Sequence, residues 1–428
     1  MTLSDTIAAV CTAKGPGAIS IVRVSGPDAF SVSRRMVSCE LPPPGSFALM
    51  RVFAPDGNGG RHIDDALVLV FKAPHSYTGE DTVEFQCHGG HVTPARVLAA
   101  ALAAGARPAE RGEFTERAFL NGRMTLDQAE AVLDLVNART ERAADDALEG
   151  VKGQRGAVLR RLYAEAVAIS AEIEHSLDVD ESELPPGFVE SLVGRVSSLR
   201  DEIIGEAKRE RSRRIFREGA TVVLLGPPNA GKSSLMNALL GEDRAIVSDA
   251  PGTTRDSIDA WMDVKGWPVR LVDTAGLRET GDAVEGEGVR RARELAGKAD
   301  VVVVFDGAWQ ILPPADAETI RVHAKCDVSR EEGALNVSAA TGEGVGELVG
   351  EIGAALERRA DSRASGDCGG RALSAFERAA ELLSLPPLDP VPLANAVRDA
   401  AMHLGAAAGT VYGDDLLENL FSRFCVGK

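Results

Sequence analysis

Aromatic residues are scarce in this chain. They make up 4% of its 428 residues, so aliphatic side chains must fill most of any core. Cysteine is also sparse. The six thiols, at 11, 39, 87, 326, 368 and 425, include no CxxC pair, which argues against a disulfide framework and for reduced thiols in the cytoplasm. Long apolar runs are missing too: the longest, VLAAALAAGA, falls far short of the ~20 residues a membrane span requires. The opening MTLSDTIAAV has no basic stretch followed by an apolar one, so no signal peptide is expected. Positive charge is in deficit. A formal net charge of −17 excludes wrapping of nucleic acid by the whole surface, although a local basic patch is still allowed. What the chain does have is length, enough for roughly two to four domains, and a hydrophobic content of 44% to pack them.

Residues 1–118 alternate β-like runs (AISIVRVSG, DALVLVFKA, TVEFQCHGG) with Gly/Pro turns and one Ala-rich helix, and read as an α+β domain. Residues 119–215 change to helical texture. In TLDQAEAVLDLVNARTERAADDAL, Thr125 and Gln128 have capping-box spacing, and Ala129, Val132, Leu133 and Val136 line one face. A second helix carries Leu159, Leu162, Ala166, Ile169 and Ile173, and a third Phe188, Leu192, Val196, Leu199 and Ile203. From 216 to 362 strands alternate with helices, the pattern of a mostly parallel sheet, with a hairpin through GWPVRLVDTAG. Helical stripes return over 363–428. The expected architecture is therefore multidomain α+β: an N-terminal α+β domain and a discontinuous helical bundle interrupted by an inserted Ras-like α/β P-loop domain.

GPPNAGKSS directly follows the apolar strand TVVLLG and matches GxxxxGK[ST] in the context that confirms it. Backbone N–H groups around Asn229, Ala230 and Gly231 would cradle phosphates, Lys232 would neutralise the β/γ oxygens, and Ser233, followed by Ser234, would ligate Mg²⁺. DTAG (Asp273, Thr274, Ala275, Gly276) supplies a carboxylate that orients the metal through water and an N–H for the γ-phosphate. Between them, Ser248, Asp249, Ala250, Pro251, Gly252, Thr253 and Thr254 form a switch-type loop in which Thr254 is the second Mg²⁺ ligand. Together the three segments mean a nucleotide triphosphatase.

Base reading is less regular. AKCD stands where GTPases carry Asn-Lys-x-Asp, so Asp327 keeps the acceptor pair for guanine and Lys325 can lie along the base, but Ala324 lacks the amide that ties this loop to the P-loop. Ser338 and Ala339 fit the backbone contact to the guanine oxygen. The stretch between VVVVFDG and AKCD is too short for a full crossover helix. Leu277 occupies the position of the usual water-orienting glutamine, which leaves Glu279, Asp282 and Glu285 as acidic candidates. CHGGH (87–91) offers three potential metal ligands, too few for a structural zinc site, and a turn beside a strand explains it. KRERSRRIFRE (208–218) reads as a solvated helix end, with RNA contact as the alternative.

These motifs, with ERGEFTERAFLNGRMTLDQAEAV, SYTGEDTVEFQCHGG, AISIVRVSGP and the terminal FCVGK, resemble the TrmE family of potassium-dependent tRNA-modification GTPases from end to end. The resemblance implies an N-terminal domain that forms a homodimer and binds a tetrahydrofolate one-carbon donor (the 5,10-methylene or 5-formyl derivative). It puts Arg23, Glu80, Arg123 and Lys428 at the folate site, Arg123 where the family often has lysine. It implies K⁺ held by Asn229 with Ser248, Ala250 and Thr253, and Glu285 as the water-orienting carboxylate. It also implies an FAD-containing partner, MnmG (GidA), in a hetero-oligomer that installs aminomethyl or carboxymethylaminomethyl groups at C5 of the tRNA wobble uridine. Lys428 would fold back toward the folate site near Arg123, carrying Cys425 with it as a nucleophile or as a packing residue. The alternatives are a GTP-switched ribosome-assembly factor of the Era/Der kind and a weakly hydrolysing scaffold.

Overall fold

The computed structural model describes residues 5–55, 60–177, 179, 183–227, 229–246, 259–273, 294–307, 317–361, 374, 377–378, 380–381, 383, 390–407, 421 and 423–428. Two compact units share the chain, Met1–Leu133 with Gly409–Lys428, and Asp134–Ala408. Among the described residues no helix is long and apolar enough to cross a membrane.

In the first unit, strands β1 (Ile7–Val10), β2 (Ile19–Ser25), β3 (Phe47–Phe53), β4 (His62–Phe71), β5 (Thr82–His88) and β6 (Arg107–Pro108) form a sheet of order β3-β4-β5-β2-β1-β6. All neighbours are antiparallel except β1 and β6. Period-two alternation turns Ala66, Val68 and Val70 of β4 inward. There they share a core with Val22, Val24 and Phe85 and with Val97, Ala100 and Ala101 of helix α2 (Thr93–Ala103); a short helix, α1 (Ala29–Arg34), adds Ala29 and Val32. The Cys87 thiol of CHGGH belongs to this core, where burial pushes its pKa up to about 11, while His88 pairs with Asp64 at 2.8 Å.

Beyond the sheet lie α3 (Glu113–Leu120) and α4 (Leu126–Asn137). The expected capping box is formed: Thr125 N donates to Gln128 Oε1 at 2.9 Å, and Gln128 N to Thr125 Oγ1 at 3.4 Å. The helix expected to run through DDAL is instead two. α4 ends at Asn137, and α5 (Glu141–Val151) begins behind Thr140, whose hydroxyl accepts from Ala143 N at 3.2 Å and donates to Gly266 O at 2.8 Å. Val136, placed on the apolar face by spacing, is exposed.

In the second unit, α6 (Gln154–Leu177), α7 (Phe188–Glu218) and a helix over Pro390–Ala407 (α10, following α8 and α9 below) share one core. Leu159, Leu162, Ala166, Ile169 and Ile173 meet Leu192, Val196, Leu199, Ile203, Val397, Ala400 and Leu404, as the sequence stripes predict. The basic run at the end of α7 is ion-paired: Lys208 and Arg209 are solvent-exposed, as expected, whereas the side chains of Arg211 and Arg213 are largely covered. Lys208 meets Asp361, Arg209 Glu206, Arg211 Glu377, Arg213 both Asp146 and Glu210, and Arg214 Glu218.

Between α7 and α10 the chain builds a second sheet from β7 (Ala220–Leu225), β8 (Asp259–Val264), β9 (Trp267–Asp273), β10 (Val301–Phe305), β11 (Glu318–Ala324) and β12 (Leu335–Val337), in the order β12-β11-β10-β7-β9-β8. All pairs are parallel except the β8–β9 hairpin, whose turn is Lys265 (φ 52°) and Gly266 (φ 87°). Both sheet faces are covered, so the strands are continuous hydrophobic runs: every residue of β10 is buried. Helices α8 (Lys232–Arg244) and α9 (Val345–Asp361) contribute Leu235, Leu239, Leu348, Ile352 and Leu356 to the larger of the two cores. An α/β domain thus interrupts helices that pack on one another.

Candidate functional site

In the second unit, the loops that follow β7, β9, β11 and β12 emerge at the carboxyl ends of parallel strands, where open α/β sheets bind ligands. The first loop is set by sterics. A Cβ added at Gly226 would lie 2.7 Å from Phe305 Cβ, so only glycine lets the chain leave β7 beside β10. Asn229 (φ 60°) and Gly231 (φ 90°) then take left-handed backbone and turn the chain into α8. Lys232, 5% exposed, donates to the carbonyls of Gly226 and Pro227 at 2.9 and 2.8 Å, which draws the loop around its own ammonium group. The Ser233 hydroxyl donates to Asp273 Oδ2 at 2.6 Å, joining the P-loop helix to the end of β9. A hydroxyl and a carboxylate at this spacing are hard oxygen donors that fit Mg²⁺. Ala230 is half-buried and Ser234 is exposed.

The AKCD segment sits beside them. Lys325 has φ 62°, and its Nζ donates to Asn229 O at 3.3 Å, so the AKCD loop touches the P-loop through lysine although Ala324 replaces the asparagine. Cys326 is buried and donates its N–H to Val337 O at 3.1 Å, leaving Asp327 exposed. Ser338 is fully buried, its N–H on Glu343 O and its hydroxyl accepting from Thr341 N, and Ala339 is half-buried next to it. Ser248, Asp249, Ala250, Pro251, Gly252, Thr253, Thr254, Thr274, Ala275, Gly276 and Glu285 lie outside the described residues.

The first unit holds a second cluster. Arg23 on β2 faces Glu84 on β5 in register, with Nε 2.8 Å from the carboxylate, and its guanidinium lies 5.1 Å from the Tyr77 ring centre and 5.3 Å from that of Phe114. The terminal segment is folded onto this region. Phe421 and Phe424 pack with Leu126, Ala129 and Leu133, Arg111 and Val426 form a β-bridge, and Gly427 lies against Val10 and Cys11. Burial pushes the Cys11 thiol up, and the charges of Arg23 and Lys428 act on it in the opposite direction. Cys425 is exposed, and its carbonyl accepts from Gly112 N and Lys428 N. Among the described residues no hydrogen bond or ion pair joins Lys428 to Arg123, which is exposed and packs its chain against Gly79.

Glu80 belongs to a network that sequence reasoning missed. Its carboxylate accepts from Ser25 Oγ at 2.8 Å and from Arg117 at 3.1 Å. Arg117, 2% exposed, also reaches Asp5 at 2.7 Å and Glu113 at 2.9 Å, and Arg107 pairs with the same two carboxylates. The Arg107 hydrogen bond pulls Asp5 below its usual range, and with Arg117 it outweighs burial at Glu113 to the same effect. The only sequence signal was ERGEFTERAFL itself, in which Glu113 and Arg117 stand four apart on one helix.

Residues 6–123 match the family described as GTP-binding protein TrmE N-terminus, and residues 126–425 match the MnmE helical domain. The chain is similar over 100% of its length to a tRNA modification GTPase MnmE of Geobacter sulfurreducens, at 41% identity and with all of that protein covered. Proteins of the same description from Symbiobacterium thermophilum and Alkalilimnicola ehrlichii are 40% and 38% identical, each with 99% of both chains covered.

Proposed function

The chain belongs to the MnmE family of tRNA modification GTPases, and on that premise we propose how its two clusters divide the work. The protein is a GTPase that acts in tRNA modification. The observation that carries the assignment of its GTP site is the bond between Ser233 and Asp273 at 2.6 Å, next to a buried Lys232 at the head of α8. Lys232 carries the charge for the β/γ-phosphates, Ser233 and Thr254 hold Mg²⁺ with Asp273 behind, and Asp327 and Lys325 read guanine beside Ser338 and Ala339. Asn229 with Ser248, Ala250 and Thr253 holds K⁺, which supplies positive charge at the phosphates, and Glu285 orients water.

The first unit serves the one-carbon chemistry. Arg23, Arg123 and Lys428 are cations, and Tyr77 offers a half-buried ring beside Arg23. Such a set fits a flat, aromatic, anionic ligand such as a tetrahydrofolate derivative, which would supply a one-carbon unit when bound. Glu80, neutralised by Arg117, serves this site by holding the 77–80 turn. The product is an aminomethyl or carboxymethylaminomethyl group at C5 of the wobble uridine, made by a homodimer with an FAD-containing partner in the cytoplasm. Steady-state GTP hydrolysis in KCl and in NaCl at equal ionic strength, with ATP as control, tests the nucleotide half. Turnover of GTP in K⁺ alone is expected. Equal rates in both salts would remove the cation from Asn229, and negligible rates in both would favour a scaffold.

A further inference from the structure

His323, on β11 two residues before the base-reading lysine, is bonded on both sides of its ring. Its Nε2 lies 2.9 Å from the Ser329 carbonyl oxygen and 3.1 Å from the Ser329 hydroxyl, and its Nδ1 meets the Asp306 carboxylate, with Glu331 at 3.4 Å. A carbonyl and a carboxylate only accept, so both ring nitrogens donate and the ring is an imidazolium. Asp306 follows β10, while Ser329 and Glu331 lie beyond Asp327. The ring therefore fastens the far side of the 325–329 turn to the end of the neighbouring strand.

That turn needs fastening. Lys325 adopts a left-handed backbone that a non-glycine residue holds only when its surroundings impose it. The N–H groups of Val328 and Ser329 both point back at the Lys325 carbonyl, at 2.9 and 3.3 Å. Ala324, where the tethering asparagine of other GTPases would stand, has only a methyl group, which packs against the core. On the near side Lys325 itself reaches Asn229. We propose that His323, clasped between Asp306 and Ser329, is a positioning residue that replaces the missing asparagine tether and holds Asp327 in place for guanine. The inference rests on Asp327 being the guanine reader.

Among the described residues the carboxylates of Asp306 and Glu331 are the charged groups that face the ring; desolvation lowers its pKa, and the bonds to Asp306 and Ser329 with the two carboxylate charges together outweigh it and hold the pKa above the ordinary 6.5. Deprotonation removes one of the two N–H tethers, so nucleotide affinity should fall as pH rises through that raised value. A ring with both N–H groups engaged has no free lone pair, which argues against reading the Asp306–His323–Glu331 group as a metal centre.

The test uses the full chain and fluorescent GDP. His323→Ala is expected to raise Kd and the KM for GTP about ten-fold, the loss of one charge-assisted bond, with kcat within two-fold of the parent. Adding Ala324→Asn to that variant should recover most of the affinity. Unchanged affinity, a fall in kcat alone, or no recovery would overturn the clasp. If His323→Ala does not fold, the pH titration of the unmodified chain decides: a Kd flat from pH 6 to 9 overturns it. Micromolar Zn²⁺ that tightens GDP binding in the parent but not in a His323 variant would also overturn it, in favour of a metal. Asp327→Asn is the separate control. It should shift preference from guanine to xanthine nucleotides, and its failure would sink the underlying reading independently of His323.

Discussion

The Ser233 hydroxyl donates to the Asp273 carboxylate at 2.6 Å, tying the first turn of α8 to the last residue of β9. Two parallel strands pair directly beneath it, β7 with β9. The sheet fixes where Asp273 stands, and the 226–231 loop, with its positive-φ turns at Asn229 and Gly231, brings Ser233 to it. Asp273→Asn keeps the size and the acceptor for Ser233 but removes the charge that a divalent ion senses. Turnover of GTP in Mg²⁺ should fall about 100-fold, the scale of losing one preorganised electrostatic partner, while GDP binding in EDTA changes little. Phosphate release and a GDP titration check it; a variant with normal turnover would take Asp273 out of the metal shell.

Gly226 and Phe305 are a steric pair. A Cβ at 226 would stand 2.7 Å from Phe305 Cβ, and β10 is buried along its whole length, so the ring cannot step aside into solvent. Gly226→Ala should cost about 1–3 kcal/mol of stability in the α/β domain and weaken nucleotide binding by shifting the loop. Phe305→Leu keeps the Cβ and Cγ that the added methyl would meet at 2.7 and 3.1 Å, so it should not rescue Gly226→Ala in a double-mutant cycle. Full recovery in the double variant would mean that the outer ring, and not the Cβ and Cγ of residue 305, sets the fit at Gly226.

What the sequence made legible follows from what is local. The stripes of α6 and α7 need only one buried face, and the Thr125–Gln128 box is closed within four residues, so pattern alone found them. The P-loop was legible for the same reason. The break between α4 and α5 was not, because Thr140, which caps the start of α5, is held in place by Gly266, a residue 126 positions away. Nor was the hub at Arg117. Asp5, Glu80 and Glu113 come from separate segments, and a charge within a helix reads as solvated until the fold buries it. At the basic end of α7 the exposure of Lys208 and Arg209 was legible, but the carboxylates that cover Arg211 and Arg213, at Glu377 and on α5, are invisible to composition.

Arg117 leads to a prediction about acid. Asp5 and Glu113 are both held below their ordinary values of 3.8 and 4.5. A carboxylate depressed in the folded state contributes its full stability above the unfolded value and loses it as pH falls toward the folded one. The first unit should therefore weaken as pH drops below about 4.5, as carboxylate linkage requires. Arg117→Met takes the cation from Glu80 and leaves Glu113 with Arg107 alone, and should cost about 3–5 kcal/mol. The three tryptophans, at 261, 267 and 309, all lie outside this unit. Calorimetry should then show a transition that moves with pH and with Arg117→Met while tryptophan fluorescence melts as before. Coincident shifts in both signals would refute the assignment to this unit.

Gly427 fixes the tail. Its φ of 104° and the position of a Cβ there, 2.4 Å from Val10 O and 2.9 Å from Cys11 Cα, leave room for nothing larger than hydrogen. Gly427→Ala should lift the last two residues off β1 and take the Lys428 charge away from Cys11 and Arg23. Two effects on the Cys11 thiol then compete. Burial, which raises its pKa most, is relieved, whereas the lysine charge that lowers it is lost. Desolvation is the larger, so Cys11 should alkylate faster in the variant, as its thiolate becomes less disfavoured and access opens. Peptide mapping must follow Cys11 itself, because Cys39 and Cys425 are exposed in the parent. The same variant should lose tRNA modification while GTP hydrolysis stays within about two-fold, since no part of the P-loop site is touched. Modification at the parental rate despite a reactive Cys11 would show that the tail packs against the first unit without serving its chemistry.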